Sequence, residues 1–310
     1  MNNQKITISI VAPFYCEEDM CDLFLKETTA VLNELNKPFE IVCVNDGSTD
    51  NTLANLLQAK KNYPNIKIIN LSRNFGKEAA LTAGLDYTKG EVIIPIDADL
   101  QDPPDLIKEF IAHWEEGYDV VLAKRSDRSS DSIAKRITAH LFYKVHNKIS
   151  HTKIPENVGD YRLITRKVLN AIQELPENQR FMKGIFAWVG FRTATLEYKR
   201  EKRKAGKTSF NVWELWNFAI EGITSFSTVP LQIWLYVGIL VSLLSLIYGS
   251  YMILRTLFFG VDVPGYASLL TSILFLGGIQ LIGFGILGEY IGRIYMESKH
   301  RPTYIVEGEY

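Results

Sequence analysis

The chain has 310 residues, enough for one catalytic domain of roughly 200 residues and a smaller second unit. Its 34 Lys and Arg residues nearly balance 35 Asp and Glu residues, so the net charge is −1, and we expect no nucleic-acid partner. The three cysteines lack the spacing of a zinc site or a disulfide framework, which favours a reducing compartment. Nearly all long apolar runs lie after Pro230, so the near-zero mean hydropathy conceals two unlike parts.

Three short apolar strands are predicted in the N-terminal half, and each ends in a polar loop. Residues 6–12 (ITISIVA) lead into PFYCEE, residues 40–44 (EIVCV) into NDGSTD, and residues 91–96 (EVIIPI) into DADLQDPP. Helix-like polar stretches separate the strands, and this alternation predicts an α/β domain with a parallel sheet. Open α/β sheets place ligands at the carboxyl ends of their strands, so these three loops form the predicted site.

Asp97 and Asp99 follow the third predicted strand and are separated by one residue. Two carboxylates in this arrangement can reach one hard divalent cation, which can also bridge the phosphate oxygens of a substrate. Mg²⁺ or Mn²⁺ is therefore the expected cofactor. Each motif by itself also has a simpler explanation. Asp97 and Asp99 could form a solvated acidic turn before a helix that starts near Pro104, and NDGSTD could be an ordinary turn.

Two amphipathic segments lie before the long apolar runs. In residues 131–150, apolar side chains recur every fourth position and basic residues lie largely on other faces, while residues 210–229 carry Trp213 and Trp216. Basic amphipathic helices can lie among lipid headgroups, and tryptophan suits the membrane interface. We therefore predict two interfacial helices, with packing on the sheet as the alternative for the first.

Two apolar runs, 231–254 and about 268–290, are long enough to cross a hydrocarbon core of about 30 Å. Basic residues flank the start of the first run and the end of the second, whereas the connecting loop has only Arg255, which predicts a hairpin with both ends in the cytoplasm. Buried core helices are the alternative. Glu289 lies one helical turn before Arg293 and is expected to pair with it. Glycines on the second run permit close helix contact, within the chain or in a homo-oligomer: Gly277, Gly278, Gly283, Gly285 and Gly288.

These features divide the chain into four parts. A catalytic domain (1–209) contains the interface helix 131–150, and an interfacial helix (210–229), two transmembrane helices within 230–292 and a cytoplasmic tail (293–310) follow. The N-terminus lacks a cleavable signal pattern, so we expect the catalytic domain to remain in the cytoplasm. The expected location is a membrane, in which the chain is a multi-pass protein.

The motifs taken together resemble a known family over almost the whole chain. They are PFYCEE, VNDGSTD, SRNFGKEAALTAGLD, IDADLQDPP, LAKRSDRS, ENVGDYRLI, FMKGIFAWVGF, EGITSFS and LGEYIGRIYMESKHRP. This set resembles the inverting nucleotide-sugar transferases of glycosyltransferase family two, and within them the polyprenyl-phosphate glycosyltransferases, which include bactoprenol glucosyltransferases of O-antigen modification and the related dolichol-phosphate mannose synthases. The resemblance implies a GT-A (Rossmann-like) fold, and it implies the bacterial inner membrane as the location of this multi-pass protein.

The resemblance also implies roles for individual residues. The pocket for the nucleotide base and ribose matches Pro13, Tyr15, Glu17, Val44 and Asp46. The metal-centred group matches Asp97, Asp99 and Gln101 with Ala98 alongside, and phosphate contacts match Arg125 and Arg203. One departure is visible, because the family often reads Gly-x-Ser/Thr-Lys where this chain has Gly206-Lys207-Thr208-Ser209, so Lys207 is the candidate here.

The expected chemistry is electrostatic. A lipid phosphate monoester has a second pKa near 6 and is mostly anionic at neutral pH, so a strong general base is unnecessary. Cations must stabilise the charge on the departing diphosphate, which accounts for a site combining the aspartates with Arg125, Arg128, Arg136 and Arg200. Asp160 is the candidate acceptor-side carboxylate, with a structural salt bridge to Arg162 as the alternative.

The predicted reaction is transfer of a hexose, glucose from UDP-glucose in the first instance, to undecaprenyl phosphate. GDP-mannose or a UDP-aminosugar are alternative donors, and a processive polysaccharide synthase is an alternative enzyme, although the chain has only two predicted spanning helices and lacks a Gln-x-x-Arg-Trp motif. A non-catalytic transporter subunit is the third alternative. The resemblance allows a homo-oligomer, since family members can be tetrameric, and it implies a downstream flippase and a second glycosyltransferase as pathway partners.

Overall fold

The computed structural model describes residues 5–126, 147, 153, 155–177, 180–199, 224, 227–259 and 265–310. Within this part of the chain, eight strands form one sheet in the order β7-β5-β6-β4-β1-β2-β3-β8. Their bounds are β1 Ile8–Phe14, β2 Phe39–Asn45, β3 Ile66–Leu71, β4 Val92–Pro95, β5 Val120–Arg125, β6 Val158–Thr165, β7 Thr193–Tyr198 and β8 Val306–Glu309.

The centre of the sheet is parallel, as the sequence predicted. Strand β1 pairs in parallel with β2 and β4, and β2 pairs in parallel with β3. The loops after β1, β2 and β4 therefore leave the same edge of the sheet. Strand β6 runs antiparallel between β4 and β5, and β7 lies parallel to β5 at the sheet's end.

Helices cover both faces of the sheet. Their bounds are α1 Cys21–Glu34, α2 Thr52–Ala59, α3 Lys77–Asp86, α4 Leu106–Glu115, α5 Arg166–Gln173 and α6 Met182–Trp188. Side chains alternate between faces along each strand, so Ile8 and Ile10 pack with α1, α2 and α4, whereas Val11 packs with α3, α5 and α6. Helix α3 approaches the sheet closely at Gly84, where an added Cβ would lie 2.3 Å from Val11 Cγ1.

Two long helices, α7 (Val229–Phe259) and α8 (Tyr266–Ser298), follow the sheet domain. Both contain segments long and apolar enough to cross a membrane, Val229–Phe259 and Phe275–Ser298. Large apolar side chains on both helices are exposed, among them Ile247 and Phe284. A core helix of a soluble protein would bury such side chains, so the alternative prediction that these runs are buried core helices is wrong. The Tyr290 hydroxyl donates a hydrogen bond of 2.6 Å to the Ser227 carbonyl, and Arg293 pairs with Glu289 at 2.9 Å, as expected.

The last residues of the chain return to the sheet, which the sequence did not predict. Strand β8, inside the segment expected to be a cytoplasmic tail, pairs antiparallel with β3. Asn70 Nδ2 donates to Glu307 Oε2 at 2.8 Å, and the Tyr304 hydroxyl donates to Asp86 Oδ2 at 2.9 Å. Strand β8 therefore covers an edge of the sheet that would otherwise expose unpaired backbone groups.

Candidate active site

The loops after β1 and β2 are fastened to each other by hydrogen bonds. The backbone N–H of Cys16 donates to Ser48 Oγ, and that of Glu17 donates to Thr52 Oγ1, each at 3.0 Å. The side chain of Glu18 accepts a bond of 3.0 Å from the backbone N–H of Asn51. These bonds make the PFYCEE and NDGSTD segments one rigid wall at the carboxyl edge of the sheet.

The residues matched to a base and ribose pocket differ in their exposure. The ring of Tyr15 is exposed, and Pro13 and Glu17 are half-buried, so these three can contact a ligand. The side chain of Val44 is completely buried beside α3, and Ala98, near the metal-matched residues, is buried in the core beneath the sheet edge. Their side chains support the loops from below.

Asp46 holds the loop that joins β3 to α3. Its Oδ1 accepts a hydrogen bond of 2.8 Å from the N–H of Phe75, and its Oδ2 accepts one of 3.0 Å from the N–H of Gly76. Burial raises the pKa of Asp46, while these two hydrogen bonds act in the opposite direction. Asp46 thus fixes the start of α3, whose first residue is Lys77.

Lys77 joins the two carboxylates that the sequence placed in different roles. Its Nζ lies 2.7 Å from Asp97 Oδ1, 2.9 Å from Asp97 Oδ2 and 2.9 Å from Asp160 Oδ2. The sequence analysis did not select Lys77 as a site residue, although it lies within the motif SRNFGKEAALTAGLD. A lysine directly after a glycine, at the first position of a helix that starts at the ligand-binding edge of the sheet, was the signal that could have found it.

The charges around Asp160 determine its protonation. Burial alone would raise the pKa of Asp160, but Lys77 and Lys183 hold it well below its usual range. Asp160 Oδ1 is buried and has no hydrogen-bond partner among the described residues. Arg162 donates to the backbone carbonyls of Gly159 and Asp160, at 2.6 and 3.3 Å. Asp160 is therefore an ionised carboxylate whose Oδ2 is held by Lys77 and whose Oδ1 makes no hydrogen bond with a described residue.

Glu78, next to Lys77, has the opposite behaviour. Burial, followed by the charge of Asp160, raises its pKa to about 8. Its Oε2 accepts a hydrogen bond of 3.3 Å from the N–H of Met182, which links α3 to α6.

Arg125 ends β5 on the same side of the sheet. Its guanidinium is hydrogen-bonded to Tyr198. Burial by itself would lower the pKa of Arg125, but Asp102, Tyr198 and Asp97 together outweigh burial and raise it. The Tyr198 hydroxyl donates a short hydrogen bond to Asp102 Oδ1, and Asp102 and Tyr198 are both buried. Arg125 Nε is also buried and without a hydrogen-bond partner in the described part of the chain. Asp102 and Tyr198 are residues that sequence reasoning missed.

Five predicted cations lie outside the described residues: Arg128, Arg136, Arg200, Arg203 and Lys207. Of the predicted interfacial helices, 131–150 falls outside the described residues apart from Asn147. The same holds for 210–229 apart from Thr224 and residues 227–229, which lead into α7.

The residues matched to a metal site fit a cation that is completed by substrate oxygens. Among the described residues, no group of three or more His, Cys, Asp or Glu side chains is placed to hold an ion alone. Asp99 is buried and its Oδ1 accepts a hydrogen bond of 3.1 Å from the N–H of Gln101, across a turn in which Leu100 has a φ of 53°. Mg²⁺ commonly binds through one or two carboxylates plus phosphate oxygens and water, and such a donor set is present here.

The family models match both parts of the chain. Residues 9–173 match the model for glycosyl transferase family 2, and residues 229–294 match the GtrB C-terminal hairpin. The chain belongs to glycosyl transferase family 2, and its catalytic domain has the GT-A type of α/β fold.

Curated relatives extend the likeness over nearly the full length. A bactoprenol glucosyl transferase of Shigella phage SfV is 55% identical over 97% of this chain and 98% of its own length. A prophage bactoprenol glucosyl transferase homolog of Escherichia coli K12 is 54% identical over 97% of this chain and 98% of its own length. Among solved structures, glucosyl-3-phosphoglycerate synthase from Mycobacterium tuberculosis, in complex with Mn²⁺, UDP and glucosyl-3-phosphoglycerate, gives a TM-score of 0.49 at 18% identity, covering 71% of this chain and 78% of that one. The chain is accordingly a glycosyltransferase, and its apolar hairpin associates it with a membrane.

Proposed function

We propose that this enzyme transfers glucose from UDP-glucose to undecaprenyl phosphate, with inversion at the anomeric carbon. The observation that carries this proposal is the 55% identity to a bactoprenol glucosyl transferase over both the catalytic domain and the hairpin. Bactoprenol is undecaprenol, so the named relatives specify both the sugar and the lipid. GDP-mannose and UDP-aminosugars are the competing donors. Among the described residues, only two helices could cross a membrane, which argues against a processive synthase with its own translocation pore.

In this proposal, an oxygen of the acceptor phosphate attacks the anomeric carbon from the face opposite the nucleotide. The bond between that carbon and the diphosphate oxygen breaks, UDP leaves with the bonding electrons, and the glucose becomes attached to the lipid phosphate. The acceptor oxygen is already anionic, so no proton must be removed.

The proposed residue roles follow from charge and position. Tyr15 and Glu17, with Pro13, line the nucleotide pocket, and Asp46 positions its wall. A divalent cation held by Asp97 and Asp99 with Gln101 beside them would supply Lewis-acid stabilisation of the leaving diphosphate. Arg125 adds a fixed positive charge, since Asp102 and Tyr198 hold its guanidinium in place. Asp160 positions the acceptor. It does not act as a general base, because a carboxylate with a lowered pKa is a weak base.

We also propose that both ends of the hairpin face the cytoplasm. Strand β8 belongs to the catalytic sheet and follows α8 directly, so the end of α8 must lie on the same side of the membrane as the catalytic domain. The contact between Tyr290 and Ser227 brings the start of α7 to the same level. The helix continues for eight residues beyond Tyr290, about 12 Å, and this length would carry the sheet domain above the lipid headgroups.

The proposed product needs further proteins before it can be used. A lipid-linked glucose made at the cytoplasmic face requires a flippase and a second glycosyltransferase before it can be used on the other side. A homo-oligomer would be formed through α8, where an added Cβ at Gly277, Gly278, Gly285 or Gly288 would meet no other described atom within 4 Å.

The test is a donor panel on the purified full-length protein in detergent. Undecaprenyl phosphate and Mn²⁺ or Mg²⁺ are supplied with UDP-glucose, GDP-mannose or a UDP-aminosugar, each radiolabelled in the sugar, and label in the lipid extract is measured with nucleotide release. We expect labelled lipid with UDP-glucose only, and at least a hundredfold loss in Asp97→Asn. Asp105→Asn is the matched control, because Asp105 is exposed and pairs with Lys108 outside the site. Label transferred from another donor but not from UDP-glucose would refute the assignment.

A further inference from the structure

We propose that Lys77 is an internal competitor of the divalent cation, so that the cation binds tightly only together with the nucleotide-sugar. This inference rests on the proposed function, because it takes Asp97 as a ligand of the cation. It concerns the order in which the site is filled, which neither the reaction nor the metal assignment determines.

The contact between Lys77 and Asp97 uses both carboxylate oxygens. Lys77 Nζ lies 2.7 Å from Oδ1 and 2.9 Å from Oδ2. A Mg²⁺ or Mn²⁺ ion needs one of these oxygens at about 2.0–2.2 Å, so the cation and the ammonium group would share one carboxylate as two positive charges a few ångströms apart. Tight binding of the cation therefore requires the ammonium to give up at least part of its contact with Asp97.

The base of the Lys77 side chain is fixed while its tip can move. The preceding Gly76 has a φ of 96°, and its N–H is held by Asp46. The side chain of Lys77 is 45% exposed, and its four-carbon stem can turn without moving α3. The loop thus presents the ammonium to the two carboxylates at a high effective concentration.

Asp160 provides the place to which the ammonium can move. Its Oδ2 already lies 2.9 Å from Lys77 Nζ, and its Oδ1 is buried without a partner in the described structure. When Asp97 turns to a cation, Lys77 can shift fully onto Asp160. Filling of the donor side would in this way alter the carboxylate that faces the acceptor.

The charge balance explains why the donor matters. A free divalent cation on Asp97 would stand beside the ammonium, and the two positive charges repel each other. The diphosphate of the donor brings negative charge that offsets this repulsion and adds oxygen ligands. Cation and donor should therefore bind with positive coupling, and free cation should bind weakly.

The experiment measures Mn²⁺ binding to the purified full-length protein without any turnover. Free Mn²⁺ is followed by electron paramagnetic resonance during titration of the protein, first alone and then with saturating UDP. We expect Lys77→Gln to bind Mn²⁺ alone about tenfold more tightly than the unmodified protein, the size expected for removing one partly screened charge. With UDP present, we expect the difference to fall below about threefold, because the diphosphate already offsets the ammonium.

Three variants make the result decisive. Lys124→Gln is the matched control, since the side chain of Lys124 is 41% exposed and pairs with Glu197 at 2.9 Å rather than with Asp97 or Asp160. This variant should bind Mn²⁺ as the unmodified protein does. Lys77→Met repeats the removal of charge with a different side chain, and Asp97→Asn should abolish binding. If both Lys77 variants bind Mn²⁺ no more tightly than the unmodified protein while Asp97→Asn abolishes binding, the competition is refuted and the metal assignment survives. If Asp97→Asn binds Mn²⁺ normally, the cation lies elsewhere and the inference fails with that assignment, whereas glucosyl transfer is judged by the donor panel alone.

Discussion

Replacement of Tyr198 by Phe tests whether the buried contact with Asp102 positions Arg125. The Tyr198 hydroxyl donates to Asp102 Oδ1, and the two residues are 7% and 2% exposed. Phe keeps the ring, which packs edge-on to Tyr161 with centroids 6.3 Å apart, and removes only the hydroxyl. A hydrogen bond to a charged group contributes about 1.5–3 kcal/mol, and here its loss also leaves a buried carboxylate without one of its donors. We therefore expect Tyr198→Phe to lower the free energy of unfolding by about 2 kcal/mol.

The same substitution should change catalysis in a characteristic way. Arg125 loses the hydroxyl to which it is hydrogen-bonded, so its charge is held less firmly towards the leaving diphosphate. If Arg125 acts mainly in the transition state, kcat falls, by about tenfold for 1.4 kcal/mol, while KM for UDP-glucose changes little. A substitution with only a structural effect would lower the amount of active enzyme without changing the response to an altered leaving group.

The assay combines thermal unfolding in detergent with steady-state kinetics per folded molecule, using UDP-glucose and a slower analogue with a less stabilised leaving group. Tyr118→Phe is the matched control, because the ring of Tyr118 contacts His113 and Arg192 and these contacts survive the change. We expect the control to alter stability by less than about 0.5 kcal/mol. Unchanged stability and unchanged kcat in Tyr198→Phe would show that the contact with Asp102 positions nothing.

Three further predictions follow from the same structure. Truncation after residue 303 removes β8 and exposes the edge of β3, so we expect a lower unfolding temperature and concentration-dependent aggregation, measured by light scattering against the full-length protein. Activity should fall below about pH 6, where the acceptor phosphate gains a proton. Asp160→Asn should lower kcat but keep this fall in activity at acid pH, because the pKa of Asp160 lies well below pH 6. Loss of the fall in the variant would assign it to Asp160. The pKa of Glu78 is raised from 4.5 to about 8, so between these pH values the unfolded chain loses the proton while the folded protein keeps it. The stability that the protonated Glu78 contributes is therefore complete below pH 4.5 and is lost as the pH rises to 8. Glu78→Gln should accordingly gain unfolding temperature relative to the unmodified protein between pH 5 and pH 8, and a constant difference between the two proteins would contradict the raised pKa.

Local patterns in the sequence predicted most of the fold. The predicted strands 6–12, 40–44 and 91–96 correspond to β1, β2 and β4, with bounds that differ by two residues or fewer. This success has a simple cause, because a strand buried on both faces is a short apolar run and its loop follows directly. The apolar runs of the hairpin were equally visible, although α7 and α8 begin two residues before them and end five and eight residues after them.

The sequence by itself determined the family, the sheet edge at which the candidate site lies and the apolar hairpin, since each depends on residues adjacent in the chain. Only the tertiary structure decided which distant residues form ion pairs and hydrogen bonds with each other. Lys77 meets Asp97 and Asp160 across 20 and 83 positions, Tyr198 meets Asp102 across 96, and Asn70 meets Glu307 across 237. The strength of an ion pair depends on distance and burial, and neither quantity can be read from the order of residues without the folded structure. Packing of α3 on the sheet, where Gly84 permits contact with Val11, is what brings the lysine to the aspartates.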